Sequence, residues 1–548
     1  MRRREAIAAA LGFAALDPQT HAEPVEPEGS GSRDARNCAA ATPLEIAAGI
    51  APVDRSYPPG DVRRYGARGN GSADDSAAWR AAVSTGHRVL GGGPECIYAM
   101  HGSVPITRPT VIDMQHATMK PIGDTQVFVR NTPAPTARAI VLSGAMQGRR
   151  AIDVESVSGF LTGQWLRLSL NDFPQHDASS YPPSWTRIVA VSGRTVEFGT
   201  PLQIDYGKGG DPTAALAYDQ RVLLPHFECR NGIFDGSACT YDRDTGQVIR
   251  ISGCERVVVE SCEFRDFAHG GELTCPVEIF TNIDATVRNC RFVGGVSKSN
   301  CCDIQGARFA HFLDNFIEGS HFGCNVTRVD YGLMANNSLH GQRALEAARG
   351  VWPPRSVRGL KAYGCTAIRI LGNHASDYES PIKVEACFRY DVSHNVIFNG
   401  GLSPFSGQIA LNVGSIHPGR NMRGGTVTGN HVEMCGGVGI GVTSDPPGGV
   451  VISGNVVRST RSIGIYVIVP RATVVGNRVE DWALSGAQEP AIHFVADSTI
   501  ADNRFANGVS DKVPCLGTVR QAAGSGILRD NVSETGNPYA TGALALDR

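Results

Sequence analysis

The sequence predicts an all-β solenoid, a three-faced right-handed parallel β-helix, and three observations carry that expectation. Short stretches of alternating apolar residues recur: VIRIS at 248–252, VEIFT at 277–281, CDIQG at 302–306, CNVTR at 324–328, LKAYG at 360–364 and IKVEA at 382–386. A second series of turn residues repeats beside them: Cys262, Cys290, Asn315, Asn337, Asn373, Asn395, Asn430, Asn455, Asn477, Asn503 and Asn531, mostly 22 to 28 residues apart. Composition agrees, because 64 glycines, 7% aromatic residues and almost no long helical pattern describe a turn-rich β protein. A repeat this short cannot bury its apolar face alone, so it stacks on its neighbours.

Size and charge bound the rest. At 548 residues the chain buries a large core, and as one unit it is too long for anything but a solenoid. A formal charge of −2, with no basic block beyond residue 4, argues against nucleic acid as the partner. No apolar run approaches the roughly 18 residues of a membrane span. The fifteen cysteines follow the repeat, with Cys262 and Cys290, Cys302 and Cys324, and Cys365 and Cys387 in equivalent places. Disulfides between coils and stacked buried thiols both suit that spacing. The odd total prevents complete pairing within one chain, and no Cys-x-x-Cys or Cys/His spacing points to zinc.

In chain order, residues 1–22 read as an export signal. Arg2, Arg3 and Arg4 precede an apolar run from Ala6 to Leu16, and Thr20-His21-Ala22 forms a cleavage site. The paired arginines suggest the twin-arginine route and a periplasmic or extracellular destination. Residues 23–56 form a linker rich in Pro, Gly and Ser, and 57–139 hold an N-terminal cap and the first coils. Residues 140–225 break the rhythm as a small inserted β domain, and 226–548 carry the main helix with its C-terminal cap. Trp165, Phe173, Tyr181 and Trp185 of the insert form either a sugar-stacking wall or, as we expect, its own small core.

The stretch DVRRYGARGNGSADDSAAWRAAV at 61–83 reads as a strand, a glycine-rich turn and a short helix capped at Asp74-Asp75-Ser76. Its Gly66, Ala67, Gly69, Gly71, Asp74, Asp75 and Ala78 resemble the N-terminal signature of the pectate-lyase-like right-handed β-helix superfamily. Polysaccharide lyases, many glycosidases and phage tailspikes share that fold. Trp79 and Gly91-Gly92-Gly93 depart from the commoner form of the signature. The resemblance implies a polysaccharide substrate lying along the first strands of the coils, and a monomer or a homotrimer.

Alternation places Ile249, Val277, Cys302, Cys324, Leu360 and Ile382 inside, so Arg250, Glu278, Asp303, Asn325, Lys361 and Lys383 form one outward column. Stacked strands would set its members roughly 4.8 Å apart. The next outward column reads Ser252, Phe280, Gln305, Thr327, Tyr363 and Glu385. Only six lysines occur in the chain, and two of them fall on this column.

Such a column suits β-elimination from a uronic acid, which needs a base and a cation that steadies the enolate-like intermediate. Lys361 or Lys383 would be the base, with Glu385 beside them. Arg250, Arg343, Arg389, His321, Asn325 and Tyr363 would bind the substrate. Glu278, Asp303 and Asn325 are oxygen ligands suited to Ca²⁺, which lyases of the superfamily commonly use. The alternative is hydrolysis by Asp303 and Glu278, at the spacing of about 5 Å that retaining glycosidases show. Asn300-Cys301-Cys302-Asp303, Ser320-His321-Phe322-Gly323 and Pro381-Ile382-Lys383 resemble motifs of polygalacturonase-like glycosidases, although their Asp-Asp motif is absent. A further alternative is a non-catalytic carbohydrate-binding or adhesive helix, which would carry aromatic rungs along its groove.

Overall fold

The computed structural model describes residues 40–170, 183–206, 215–220, 223–240, 247–267, 275–294, 300–320, 322–341, 358–400, 409–412, 423–443, 448–495, 497–510, 512–518, 527–537 and 540–541. Within them, each coil contributes one strand to each of three parallel sheets, of 14, 14 and 15 strands. The first face contains Ile249–Ser252, Val277–Phe280, Asn300–Gln305, Phe322–Thr327, Arg358–Tyr363 and Ser380–Glu385, bonded in that order. The second face follows in each coil, as with Asp284–Arg288, Phe309–Leu313 and Tyr331–Ala335. The third, such as Phe316–Ser320, closes the turn. No helix among these residues is long and apolar enough to cross a membrane.

The interior is a stack of like side chains, because in-register parallel strands place equivalent residues over one another. Phe234, Phe264 and Phe292 stack at 4.9 and 5.0 Å. At the N-terminal end the helix Ser76–Thr85 turns Ala78, Trp79, Ala82 and Val83 inward. Trp79 meets Tyr98 and Phe128 edge-on, at 5.3 and 5.9 Å, and so closes the core that an open solenoid end would expose. The capping differs from expectation. Asp74 accepts from the Ser76 N–H and hydroxyl, whereas Asp75 bonds the N–H groups of Arg68 and Gly69 and braces the glycine-rich turn.

The turn asparagines form one continuous ladder. From Asn315 to Asn503, each accepts hydrogen bonds on Oδ1 from the residue one coil earlier and donates through Nδ2 to the next. The left-handed backbone of these turns sits one residue before each asparagine, at Asp314, Asn336, His394, Asp502 and Asp530 among others. Cys262 and Cys290 occupy the first rungs, where their thiols donate to backbone carbonyls. All fourteen described cysteines are buried free thiols, so the stacked-thiol alternative is the one that holds among them.

The described residues within 137–220 include a closed antiparallel barrel of six strands. Its own core is Val141, Ile152, Leu166, Leu168, Val196, Phe198 and their neighbours, and the two described tryptophans are not part of it. Trp165 and Trp185 pack instead on Ile283 of the solenoid. The Trp185 indole donates to the Gly306 carbonyl at 2.9 Å, and its backbone N–H donates to Asp330 at 3.3 Å. Arg308 lies between the rings of Trp165 and Phe309 and bonds Thr200. These contacts fall on the turns between the first and second faces, so the barrel stands as a wall at that corner of the solenoid. Phe173 and Tyr181 lie outside the described residues.

Candidate functional site

The column on the first face has the register that alternation requires. Arg250 pairs with Glu278, Glu278 with Asp303, Asp303 with Asn325, Asn325 with Lys361, and Lys361 with Lys383. The neighbouring column runs Ser252, Phe280, Gln305, Thr327, Tyr363, Glu385 in the same register. The apolar partners Ile249, Val277, Cys302, Cys324, Leu360 and Ile382 are fully buried beneath them. Each of these six strands ends at a positive-φ turn residue, Gly253, Thr281, Gly306, Arg328, Gly364 and Ala386 in turn.

At one end, Arg250 Nε approaches Glu278 Oε2 at 3.1 Å, off the hydrogen-bond line, and the guanidinium lies 5.1 Å over the Phe280 ring. Asp303 comes next and is only 8% exposed. Its carboxyl takes one hydrogen bond from Gln305 Nε2 at 2.7 Å and one from Asn325 Nδ2 at 3.2 Å. Burial, reinforced by the Glu278 charge, pushes Asp303 up to about 7, against the pull of Gln305, Lys361 and Arg328. Two carboxyls on adjacent strands thus sit in opposite environments, one against a guanidinium and one buried.

At the other end Glu385 bridges both lysines, at 3.3 Å to Lys361 Nζ and 2.6 Å to Lys383 Nζ. Burial drives the Lys361 ammonium below its usual value, with Arg358 and Lys383 adding to the effect and Glu385 opposing it. Glu385 is held low despite burial, chiefly by Lys361 and Lys383. Lys361 also lies 5.1 Å over the Tyr363 ring. Arg358, which pattern reading passed over, joins this cluster from the start of the Lys361 strand. Three cations therefore surround one carboxylate. Removing the bridge by Glu385→Ala should cost about 3 kcal/mol, because it leaves two mostly buried ammoniums unpaired. A lowered unfolding midpoint in denaturant would register it.

Unsatisfied polar atoms gather on the same surface. Among the described residues, Asn325 Oδ1, Thr327 Oγ1 and Arg358 Nε are buried without a hydrogen-bond partner. Such groups are few in folded proteins, and each costs about 1–3 kcal/mol unless something satisfies it. Not every expected residue joins. Arg389 sits at the corner after the Lys383 strand and bonds Gln203 of the barrel at 3.1 Å, so it buttresses the wall and leaves the column to others. His321 and Arg343 lie outside the described residues.

No family model matches the sequence, and no curated protein matches it. Among solved structures, the chain is similar to the Gp54 tailspike of Acinetobacter baumannii bacteriophage AP22, solved in complex with A. baumannii capsular saccharide. Identity is 10%, with 91% of this chain and 75% of that one covered and a TM-score of 0.42. It is similar also to the A-module of the mannuronan C-5 epimerase AlgE6 of Azotobacter vinelandii, at 12% identity, 89% and 96% coverage and a TM-score of 0.28. A third is PfbA, a surface adhesin of Streptococcus pneumoniae, at 12% identity, 88% and 93% coverage and a TM-score of 0.38. The three continuous parallel sheets decide the fold. The chain is a right-handed parallel β-helix. The first face of this β-helix carries a strip ordered by charge, with two carboxyls at one end, a neutral amide and hydroxyl in the middle, and a cation cluster beyond.

The amides of this β-helix also bear on calcium. Asn325 and Gln305 turn their N–H groups toward Asp303, and Glu278 faces Arg250. Oxygen ligands do not converge, so Glu278, Asp303 and Asn325 as arranged do not fit a Ca²⁺ cage.

Proposed function

We propose that the first face hydrolyses a glycosidic bond in an acidic polysaccharide, with Asp303 as proton donor and Glu278 as the second carboxylate. One observation carries this reading: a buried carboxyl pushed up to about 7, with a second carboxyl set against a guanidinium on the adjacent strand, which suits the division of labour a glycosidase needs. Asp303 gives its proton to the glycosidic oxygen as the bond to the anomeric carbon breaks. Glu278 bonds that carbon, and a water that loses its proton to Asp303 then releases the sugar. Adjacent strands, about 4.8 Å apart, suit the short carboxyl separation of retaining enzymes. The Arg358, Lys361 and Lys383 cluster favours an anionic residue on the same chain.

β-Elimination is the second reading, and the lowered Lys361 ammonium favours it. Glu385 weighs against it, because a lysine held in an ion pair gives up its proton less readily. No step is assigned to calcium.

The test is a panel of uronate-containing polysaccharides, assayed with Ca²⁺ and with EDTA, following new reducing ends and ultraviolet absorbance together. We expect reducing ends without absorbance, retention of configuration at the anomeric carbon, and an unchanged rate in EDTA. Both signals rising would transfer the chemistry to Lys361. Binding without either signal would make the protein a carbohydrate-binding β-helix.

A further inference from the structure

Arg328 closes the strand Phe322–Thr327 at a turn where the backbone is left-handed, with φ of 56°. The equivalent residues one coil before and after are Gly306 and Gly364, with φ of 60° and 61°. Glycine takes that geometry without strain, whereas an arginine pays roughly 1 kcal/mol for it. The arginine is also almost wholly buried, at 9% exposure. Its Nη2 reaches back one coil and donates to Gln305 Oε1 at 3.2 Å, and Gln305 in turn donates through Nε2 to Asp303 Oδ2 at 2.7 Å.

A primary amide has two ends. Turned one way, Gln305 presents N–H to Asp303 and favours the carboxylate; turned over, it presents oxygen and requires a protonated carboxyl. A guanidinium only donates, so it accepts one of these two orientations. We propose that Arg328 is a positioning residue for Asp303, acting through Gln305, whose amide it holds with Nε2 toward the carboxyl. This rests on reading Asp303 as the proton donor. Without the relay the amide is free to turn, and the acid would keep its proton to higher pH.

The other groups facing Asp303 are known from the structure. Glu278 on the preceding strand raises its proton affinity, and Lys361, two strands on, lowers it. The Cys275, Cys302 and Cys324 thiols also lie in its field, and burial keeps them neutral. None of these touches the Gln305 amide, so removing Arg328 isolates the relay from them.

Arg328→Gly is the direct variant, since glycine already occupies this turn one coil before and one coil after. The readout is the titration of the Asp303 carboxyl by infrared difference spectroscopy, assigned by its loss in Asp303→Asn, in the full chain. Arg328→Gly and Gln305→Met should each raise the midpoint by about 1 pH unit or more. Added to Gln305→Met, Arg328→Gly should shift it much less than it does alone, because the two act in series. An equal shift in both backgrounds would mean that Arg328 works through its charge alone and would overturn the relay. A fallen melting temperature with an unmoved midpoint would overturn it also. Should Arg328→Gly not fold, Gln305→Met alone decides, and an unmoved midpoint there refutes the proposal. The readout needs no turnover, so it stands even if no polysaccharide is cleaved. Where cleavage is found, the alkaline limb of kcat/KM should move with the midpoint.

Discussion

Asp303→Asn should lower cleavage by 10²-fold or more, as loss of a general acid does, and at the same time make the protein more stable at pH 8. The two effects share one cause. Asp303 is buried and raised from an ordinary 3.8 to about 7. Below pH 3.8 the group is protonated folded and unfolded alike, and folding carries no cost from it. As pH rises from there to about 7, the unfolded chain ionises while the folded one resists, so stability falls. Above that window the loss levels off, on the order of 4 kcal/mol. Asparagine carries no charge and escapes it. Part of the gain is lost, because the asparagine N–H group then faces the donors of Gln305 and Asn325. A net gain of about 1–2 kcal/mol would raise Tm by about 1–2 °C at pH 8 and much less at pH 4, because a chain this long has a large unfolding entropy. Equal changes at the two pH values, or an active variant, would remove Asp303 from its role.

The largest structural effect should come from the asparagine ladder. Asn395 accepts at 2.9 Å from both the backbone N–H and the Nδ2 of Asn373, and donates to the Ile370 carbonyl and to Asn430 Oδ1, each at 2.9 Å. Asn395→Ala removes all four bonds at once: it strands the Asn373 backbone N–H and leaves Asn373 Nδ2 and the Ile370 carbonyl each one partner short, while Asn430 Oδ1 keeps the backbone N–H of residue 395. At about 1–3 kcal/mol for each unsatisfied group, the cost is on the order of 4 kcal/mol or more. Asn395→Cys should recover part of it. A thiol can donate to the carbonyl, as Cys290 does to Val259 at 3.6 Å, yet it accepts poorly from Asn373. Denaturant midpoints should fall in the order native, cysteine, alanine. A cysteine variant no better than alanine would show that the carbonyl bond contributes little.

Much of this was legible in the sequence, for reasons that particular residues make plain. Strict alternation at Ile249, Val277, Cys302, Cys324, Leu360 and Ile382 leaves one register that buries them all, and a slip by one residue would expose the set. The recurring turn asparagines announce themselves by spacing. What alternation does not reach is the corner of a coil. Arg328 and Arg389 lie where a turn, not the strand pleat, aims the side chain: one returns to Gln305, and the other leaves for the barrel. The Glu385 bridge to both lysines depends on rotamers across two coils, which no one-dimensional pattern records. The tryptophans of the insert misled because their partners, Ile283, Gly306 and Asp330, lie on another part of the chain, about a hundred residues or more distant in sequence.

The position of the charged strip along the stack has a dynamic consequence. Its strands are the third to the eighth of the fourteen on the first face. Each coil leans only on its immediate neighbours, so a stacked protein opens by fraying from its ends, and its middle exchanges amide hydrogens most slowly. The N-terminal end is shut by the Trp79 helix, while six further first-face strands stand between Lys383 and the other end. Amides of the first-face strands from Val277–Phe280 to Ser380–Glu385 should therefore outlast those of the last described coils by orders of magnitude in hydrogen exchange. A ligand laid along the strip meets a surface that is already rigid, and ordering it adds little to the entropic cost of binding.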